Sequence, residues 1–185
     1  NQSLTATRPA ISRAGDKKLT IVLSRTTGFS RDFNDAQKRQ YSAWIAQFNL
    51  SHLASDGDAV FSDDRLMAAL FASLRKTFKE VRLVRDIPEG FESGADYVGV
   101  LDLDLNQVLL SSFPSQHQKH TANVSLLFID PELVAGPLVS AQVEHDQSTM
   151  AKGADGNIRS TLFAVKTART QMLSDFEADF ARKVS

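Results

Sequence analysis

The sequence predicts an α+β fold: a two-layer sandwich in which a mainly antiparallel sheet carries two or three helices packed on one face. Three observations predict it. Between Asp96 and Asp146, three segments alternate apolar and polar residues, the period of a strand with one buried face. A segment opening at Ser62 and another running from Ile158 to Val184 repeat their apolar residues at helical spacing. The alternating segments have a single apolar face, so both helices have the same surface to cover.

Taken in order, residues 1–16 are small and polar, are broken by Pro9 and Gly15, and read as a flexible N-terminal tether ahead of a single domain over 17–185. Residues 18–24 place Leu19, Ile21 and Leu23 on one face, as a short buried strand does. Residues 26–35 read as a loop. Residues 36–48 then carry Tyr41, Trp44, Ile45 and Phe48 on one helical face, and residues 55–58 form a turn. At Ser62 an N-cap opens the clearest helix. Asp63 and Asp64 fill its first turn, Leu66, Leu70, Leu74 and Phe78 recur every fourth residue, and Arg75, Lys76 and Lys79 sit where the macrodipole favours cations.

Residues 81–84 are a short strand and residues 86–94 a turn-rich loop. In residues 96–110, Leu101, Leu103 and Leu105 alternate with Asp102, Asp104 and Asn106. After a break over 111–118, residues 119–130 put Ala122, Val124, Leu126 and Phe128 on one side. Past a turn at 131–137, residues 138–146 do the same with Val139, Ala141 and Val143. Three such strands with modest connections make an antiparallel meander. A turn at 152–157 leads into the last helix, whose stripe holds Leu162, Val165, Met172, Phe176, Phe180 and Val184.

Composition narrows the function. At 42% hydrophobic and 23% charged residues, the chain is rich enough in apolar side chains to build a core and is not a disordered segment. Its 21 basic against 22 acidic side chains leave no basic stripe to displace counterions, so no nucleic-acid partner is expected. It has no apolar run long enough to span a membrane. With no cysteine among its residues, it has no disulfide framework, thiolate metal site or cysteine nucleophile. The chain starts at Asn1 and not Met, so an export signal upstream is compatible with it.

The stretch from Arg65 to Leu105 carries a family resemblance: a helix reading LMAALFASLRKTF, then KEVRLV, then ADYVGVLDLDL. With the order of elements around it, this stretch resembles a group of small bacterial envelope lipoproteins whose exported domain is a compact α/β sandwich. They include auxiliary lipoproteins of ABC transporters, penicillin-binding-protein activators and the amino-terminal domain of the Tol translocation protein. The resemblance implies a non-catalytic accessory protein of the cell envelope, periplasmic and anchored to the outer membrane, that acts on a protein partner. Membrane contact would come only through a lipid on a cysteine upstream of Asn1, with residues 1–16 as spacer.

Two surfaces are candidates for partner contact. One is the second face of the sheet, with Val98, Val100, Asp102, Asp104, Asn106 and Val108, joined by Leu127 and Ile129. This mixture suits a moderately polar protein interface or a homo-oligomer contact. The other is the aromatic group of Tyr41 and Trp44, near Phe29 and Phe33, which reads either as a binding patch or as core.

No catalytic residue, metal or cofactor is expected. Asp102, Asp104 and Asn106 share a strand face but lack the Gly and Glu of a calcium loop, with Gln107 and Phe113 at those positions. His145 faces away from Glu144 and Asp146, and His117 and His120 could share a metal only on a helix. One alternative is a module for a small apolar ligand or lipid, with a pocket on the order of 300–1,000 Å³ between helices and sheet, lined by Leu, Phe and Met. A further alternative is a hydrolase using Asp102, Asp104 or His145.

Overall fold

The computed structural model describes residues 10–112, 115–149 and 153–185. Its strands are β1 (Lys18–Leu23), β2 (Glu80–Leu83), β3 (Tyr97–Ser111), β4 (Gln116–Ile129) and β5 (Ala135–Thr149). The helices are α1 (Arg25–Gln47), α2 (Ala54–Val60), α3 (Asp63–Thr77), α4 (Ile87–Glu92) and α5 (Gly153–Lys183). One sheet of order β2-β1-β3-β4-β5 results. The expected meander is its long part, β3, β4 and β5 pairing antiparallel. The short strand β1 pairs parallel with both β2 and β3, so the α+β sandwich is built on a mixed sheet.

The front face of the sheet is the apolar one. Leu101, Leu103 and Leu105 of β3 lie beside Val124, Leu126 and Phe128 of β4. Over them pack Leu70 and Leu74 of α3 and Met172, Phe176 and Phe180 of α5. Ser62 caps α3 as expected, its hydroxyl accepting the Arg65 N–H at 3.3 Å. Gly99 gives this layer its close packing, because a Cβ there would lie 2.8 Å from the Leu126 Cδ1 and 2.9 Å from the Ile21 Cδ1, and both buried side chains would have to shift.

The second face is not fully open. The expected loop at 86–94 contains α4, capped by Asp86 accepting the Glu89 N–H at 2.8 Å. This helix lies across β1 and β3 so closely that a Cβ on Gly90 would come within 2.6 Å of the Thr20 Oγ1 and 2.7 Å of a Val98 methyl. The helices are therefore not confined to one face, since α4 adds a local third layer. Of the expected tether, residues 1–9 lie outside the described residues. Its remainder is docked. Ile11 bridges to Val184, Ala14 donates to the Ser185 carbonyl at 2.8 Å, and both Ile11 and Ala14 are buried because each closes the core at the end of α5.

The largest departure from the sequence reading is α1, which occupies the loop expected over 26–35. It starts at Ser24, whose hydroxyl accepts the Thr27 N–H at 3.2 Å. Thr27, Ser30, Asn34 and Gln37 form its buried stripe, and their spacing is helical although their chemistry is polar. The neighbouring strand β1 stops opposite Leu101, while β3 runs on to Ser111. Beyond that point the Thr27 hydroxyl donates to the Leu101 carbonyl at 2.8 Å and accepts the Leu103 N–H at 2.9 Å. The Ser30 hydroxyl repeats this one step along, donating to the Leu103 carbonyl at 2.7 Å and accepting the Leu105 N–H at 3.0 Å. Two hydroxyls thus replace a strand. A hydrophobic-periodicity reading misses such a helix because its inward face is polar.

At the other border α5 does the same for β5. Asp179 accepts the Ser140 N–H at 2.9 Å and Lys183 donates to the Leu138 carbonyl at 2.7 Å. Burial would raise the Asp179 carboxyl, but the Ser140 N–H, Lys183 and Arg182 outweigh it and hold the group below its ordinary value.

Replacing both hydroxyls, Thr27→Val with Ser30→Ala, keeps the packing nearly intact and strands three backbone groups of β3, the Leu103 N–H and carbonyl and the Leu105 N–H, while the Leu101 carbonyl keeps the Ser24 N–H at 2.9 Å. The pair of changes is expected to cost about 2 kcal/mol or more in a urea titration, because each unsatisfied buried group costs about 1–3 kcal/mol. A loss below about 0.5 kcal/mol would contradict this role for α1.

Candidate functional site

The residues expected to face a partner divide into two groups. Tyr41 is buried in a second core cluster, stacked on Phe61 with ring centroids 5.0 Å apart, and Trp44 packs edge-on against it at 5.2 Å. Val98 is fully buried under α4. Tyr41 and Val98 therefore offer no surface to a partner: the first fills the space between α1, α2 and α5, and the second is covered by a helix the sequence did not announce. Val100 and Asp102 are half-buried, and Asp102 accepts a hydrogen bond of 2.5 Å from the Ser24 hydroxyl. Asp104 and Asn106 are exposed. His145 lies on the front-face side of β5, so the sheet separates it from Asp102 and Asp104.

Continuing along β3, the strand becomes apolar on its outside. Val108, Leu109 and Leu110 are 42%, 54% and 60% exposed, three large apolar side chains in succession on a strand end. The bonds from α1 reach as far as Gln107, whose side-chain oxygen accepts from Gln37 at 2.5 Å. Past it, the register shifts between Leu109 and Ser111. Other sheet borders are protected. The edge strand β2 has four residues and carries Glu80 and Arg82, and β5 has Asp179 and Lys183 on its edge groups with Glu144 and Asp146 farther along.

A second feature is a groove of about 640 Å³ between α2, the start of α3 and α5. It is lined by Leu53, Val60, Leu162 and Leu173 and by Phe163, which is 67% exposed. Four cations, Arg65, Arg159, Lys166 and Arg169, also line it, against one carboxylate, Asp56. Between the helices and the sheet, the void beside Phe33, His120 and Arg169 is about 10 Å³, far smaller than the expected ligand cavity.

Arg169 is 8% exposed. It donates to the Val60 carbonyl at 2.9 Å and its guanidinium lies 5.4 Å over the Phe61 ring. Burial pulls it down to about 10, against the pull of Asp63, so it remains a cation at neutral pH. Asp63 is not its partner, since both carboxylate oxygens bind Arg31 at 2.7 to 3.1 Å. One signal in the sequence could have found Arg169. It stands at an inward position of the α5 stripe, between Val165 and Met172, where an arginine is out of place.

Next to this cation runs a buried polar chain. His120 Nε2 is 2.7 Å from Gln147 Oε1, and Gln147 Nε2 donates to the Thr161 hydroxyl at 3.1 Å. Burial raises the Tyr41 phenol beside this chain, with the Thr161 hydroxyl pulling against it. Burial pushes the His120 imidazolium down, the Gln147 oxygen pulls it up, and His145 and Arg169 push it down further, leaving it below the ordinary histidine value. A histidine lowered in the folded state binds fewer protons there than in the unfolded chain. Stability is then full above about pH 6.5 and falls as pH drops from there to the folded value. Between about pH 7.5 and 5 the native chain is expected to lose more urea stability than His120→Gln, and parallel losses would contradict the burial of a neutral imidazole.

No family model matches this sequence, and no curated protein does. Among solved structures, the chain is similar to a PelC dodecamer from Paraburkholderia phytofirmans, at 11% identity over 90% of this chain and 94% of that one, with a TM-score of 0.33. It is similar to a minor lipoprotein from Acinetobacter baumannii, at 13% identity over 88% of this chain and 94% of that one, with a TM-score of 0.32. A protein of Xanthomonas campestris is similar at 7% identity over 96% of this chain and 91% of that one, with a TM-score of 0.35. Scores of this size transfer no role, and function is argued from the chain's own residues.

Proposed function

We propose that this chain is a non-catalytic accessory protein of the bacterial cell envelope, periplasmic and tethered to the outer membrane, that works by contact with a protein partner. One observation carries the contact: the distal edge of β3 is apolar and open at Val108, Leu109 and Leu110, while the other sheet borders are short, charged or capped. An open strand end invites an extended segment of another chain, main-chain hydrogen bonds supplying affinity and alternate side chains supplying specificity. Exposed Asp104 and Asn106 on the adjoining second face supply a polar rim. The envelope setting is supported by the resemblance over residues 65–105. The separation of Asp102 and Asp104 from His145 across the sheet favours contact over turnover.

The test places a photo-reactive benzoylphenylalanine at Leu110 of the native protein in its own cells, with the same substitution at exposed Glu177 as control. The expected result is one discrete heavier product from position 110, absent from position 177 and lost with Leu109→Lys at unchanged melting temperature. Fractionation is expected to recover the protein with the outer membrane. A product that survives Leu109→Lys, or no product at all, contradicts the edge as the contact. A product of twice the chain's mass assigns the edge to a second copy. Recovery in the cytoplasm contradicts the setting.

A further inference from the structure

From the groove between α2, α3 and α5 we infer that the chain binds a single-chain anionic lipid, the carboxylate or phosphate seated on Arg169 and the hydrocarbon chain lying along Leu53, Leu162 and Phe163. The site shares no residue with the β3 edge, and its argument is independent of that contact.

Arg169 carries the inference. A buried cation without a counter-ion is unfavourable, and this one has a carbonyl and an aromatic ring where a carboxylate would be expected. Asp63, the carboxylate whose charge acts on Arg169, is fully engaged by Arg31. A guanidinium offers five N–H donors in a planar fork that fits a carboxylate or phosphate with two parallel bonds. Its one hydrogen bond among the described residues goes to Val60, so donors remain for an anion entering the groove.

The rim agrees with this charge. Arg65 and Lys166 are exposed and make no ion pair among the described residues, whereas Arg159 is held by Asp155 at 2.8 Å. Asp56 is the one carboxylate in the lining, so the groove favours an anion over a cation or a neutral ligand. Its apolar lining explains why the ligand should also carry hydrocarbon. Phe163 stands 67% exposed there, a large ring that an acyl chain would cover. At about 640 Å³ the groove is the size of a small-molecule site.

Isothermal titration of the whole chain with dodecyl phosphate, dodecanoate, neutral dodecyl maltoside and inorganic phosphate, each surfactant below its micelle concentration, tests the site. At least one of the two anionic surfactants is expected to bind one per chain, with the neutral surfactant and inorganic phosphate roughly tenfold or more weaker. The tighter of the two anions identifies the headgroup, and either supports the inference. Arg169→Met should lower the affinity roughly tenfold or more. Because a core substitution can disturb folding, Arg65→Glu and Lys166→Glu on the surface provide the second arm, weakening binding at unchanged melting temperature. Equal binding of dodecyl maltoside, or anionic binding indifferent to all three substitutions, overturns the assignment. So does a lipid-free dimer that Phe163→Glu dissociates, since the groove would then belong to a second copy.

Discussion

The architecture depends on a mismatch of length between two neighbouring strands. β3 has 15 residues and its parallel neighbour β1 has 6, so the longer strand would run on with a bare row of amide and carbonyl groups inside the molecule. The chain resolves this by turning straight from β1 into α1 and laying two hydroxyls, Thr27 and Ser30, against the groups that β1 no longer reaches. A helix advances about 4.5 Å over three residues and a strand about 6.8 Å over two, and the mismatch limits such a ladder to a few steps before the helix must leave the strand. The ladder to the backbone ends there: Asn34, the next residue of the stripe, donates to the Phe61 carbonyl at 2.8 Å, and Gln37 reaches only a side chain of β3, the Gln107 Oε1. From there the far half of α1 turns to the second core cluster with α2 and α5.

That divergence places both candidate surfaces. Where α1 parts from β3, the strand is left with an uncovered apolar end at residues 108–110. Where α1 meets Phe61, it supports the α2 side of the groove, and Arg169 is held against that same ring. The polar chain through His120, Gln147 and Thr161 lies between, filling the end of the sandwich where the sheet's front face changes from leucine and valine to glutamine and histidine. Its members satisfy one another, which is the condition for tolerating polar groups at that depth.

How much of this the sequence disclosed follows from how each element is stabilised. β3, β4 and β5 alternate because one face is dry and the other wet, and α3 announces itself by Ser62, its acidic first turn and a leucine every fourth residue. These elements are organised by hydrophobicity, and hydrophobic patterning finds them. The first half of α1 is organised by hydrogen bonds to another element. Thr, Ser, Asn and Gln at helical spacing look like a loop unless the partner strand is known. Val98 read as surface because the six-residue α4 that covers it has too few residues to show a period, and Tyr41 because an aromatic stripe reads alike whether buried or exposed. The groove was the least legible, since its cations come from α3 and α5, which are far apart in sequence and meet only in the fold.

The substitution of hydroxyls for a strand is the claim on which the rest hangs, and amide hydrogen exchange at Leu103 and Leu105 tests it most directly. If Thr27 and Ser30 accept those two N–H groups, both amides exchange as slowly as the paired amides of central β3, and both speed up together when the hydroxyls are removed. Fast exchange of Leu103 and Leu105 in the native chain, at the rate of the amides near Leu110, would contradict it.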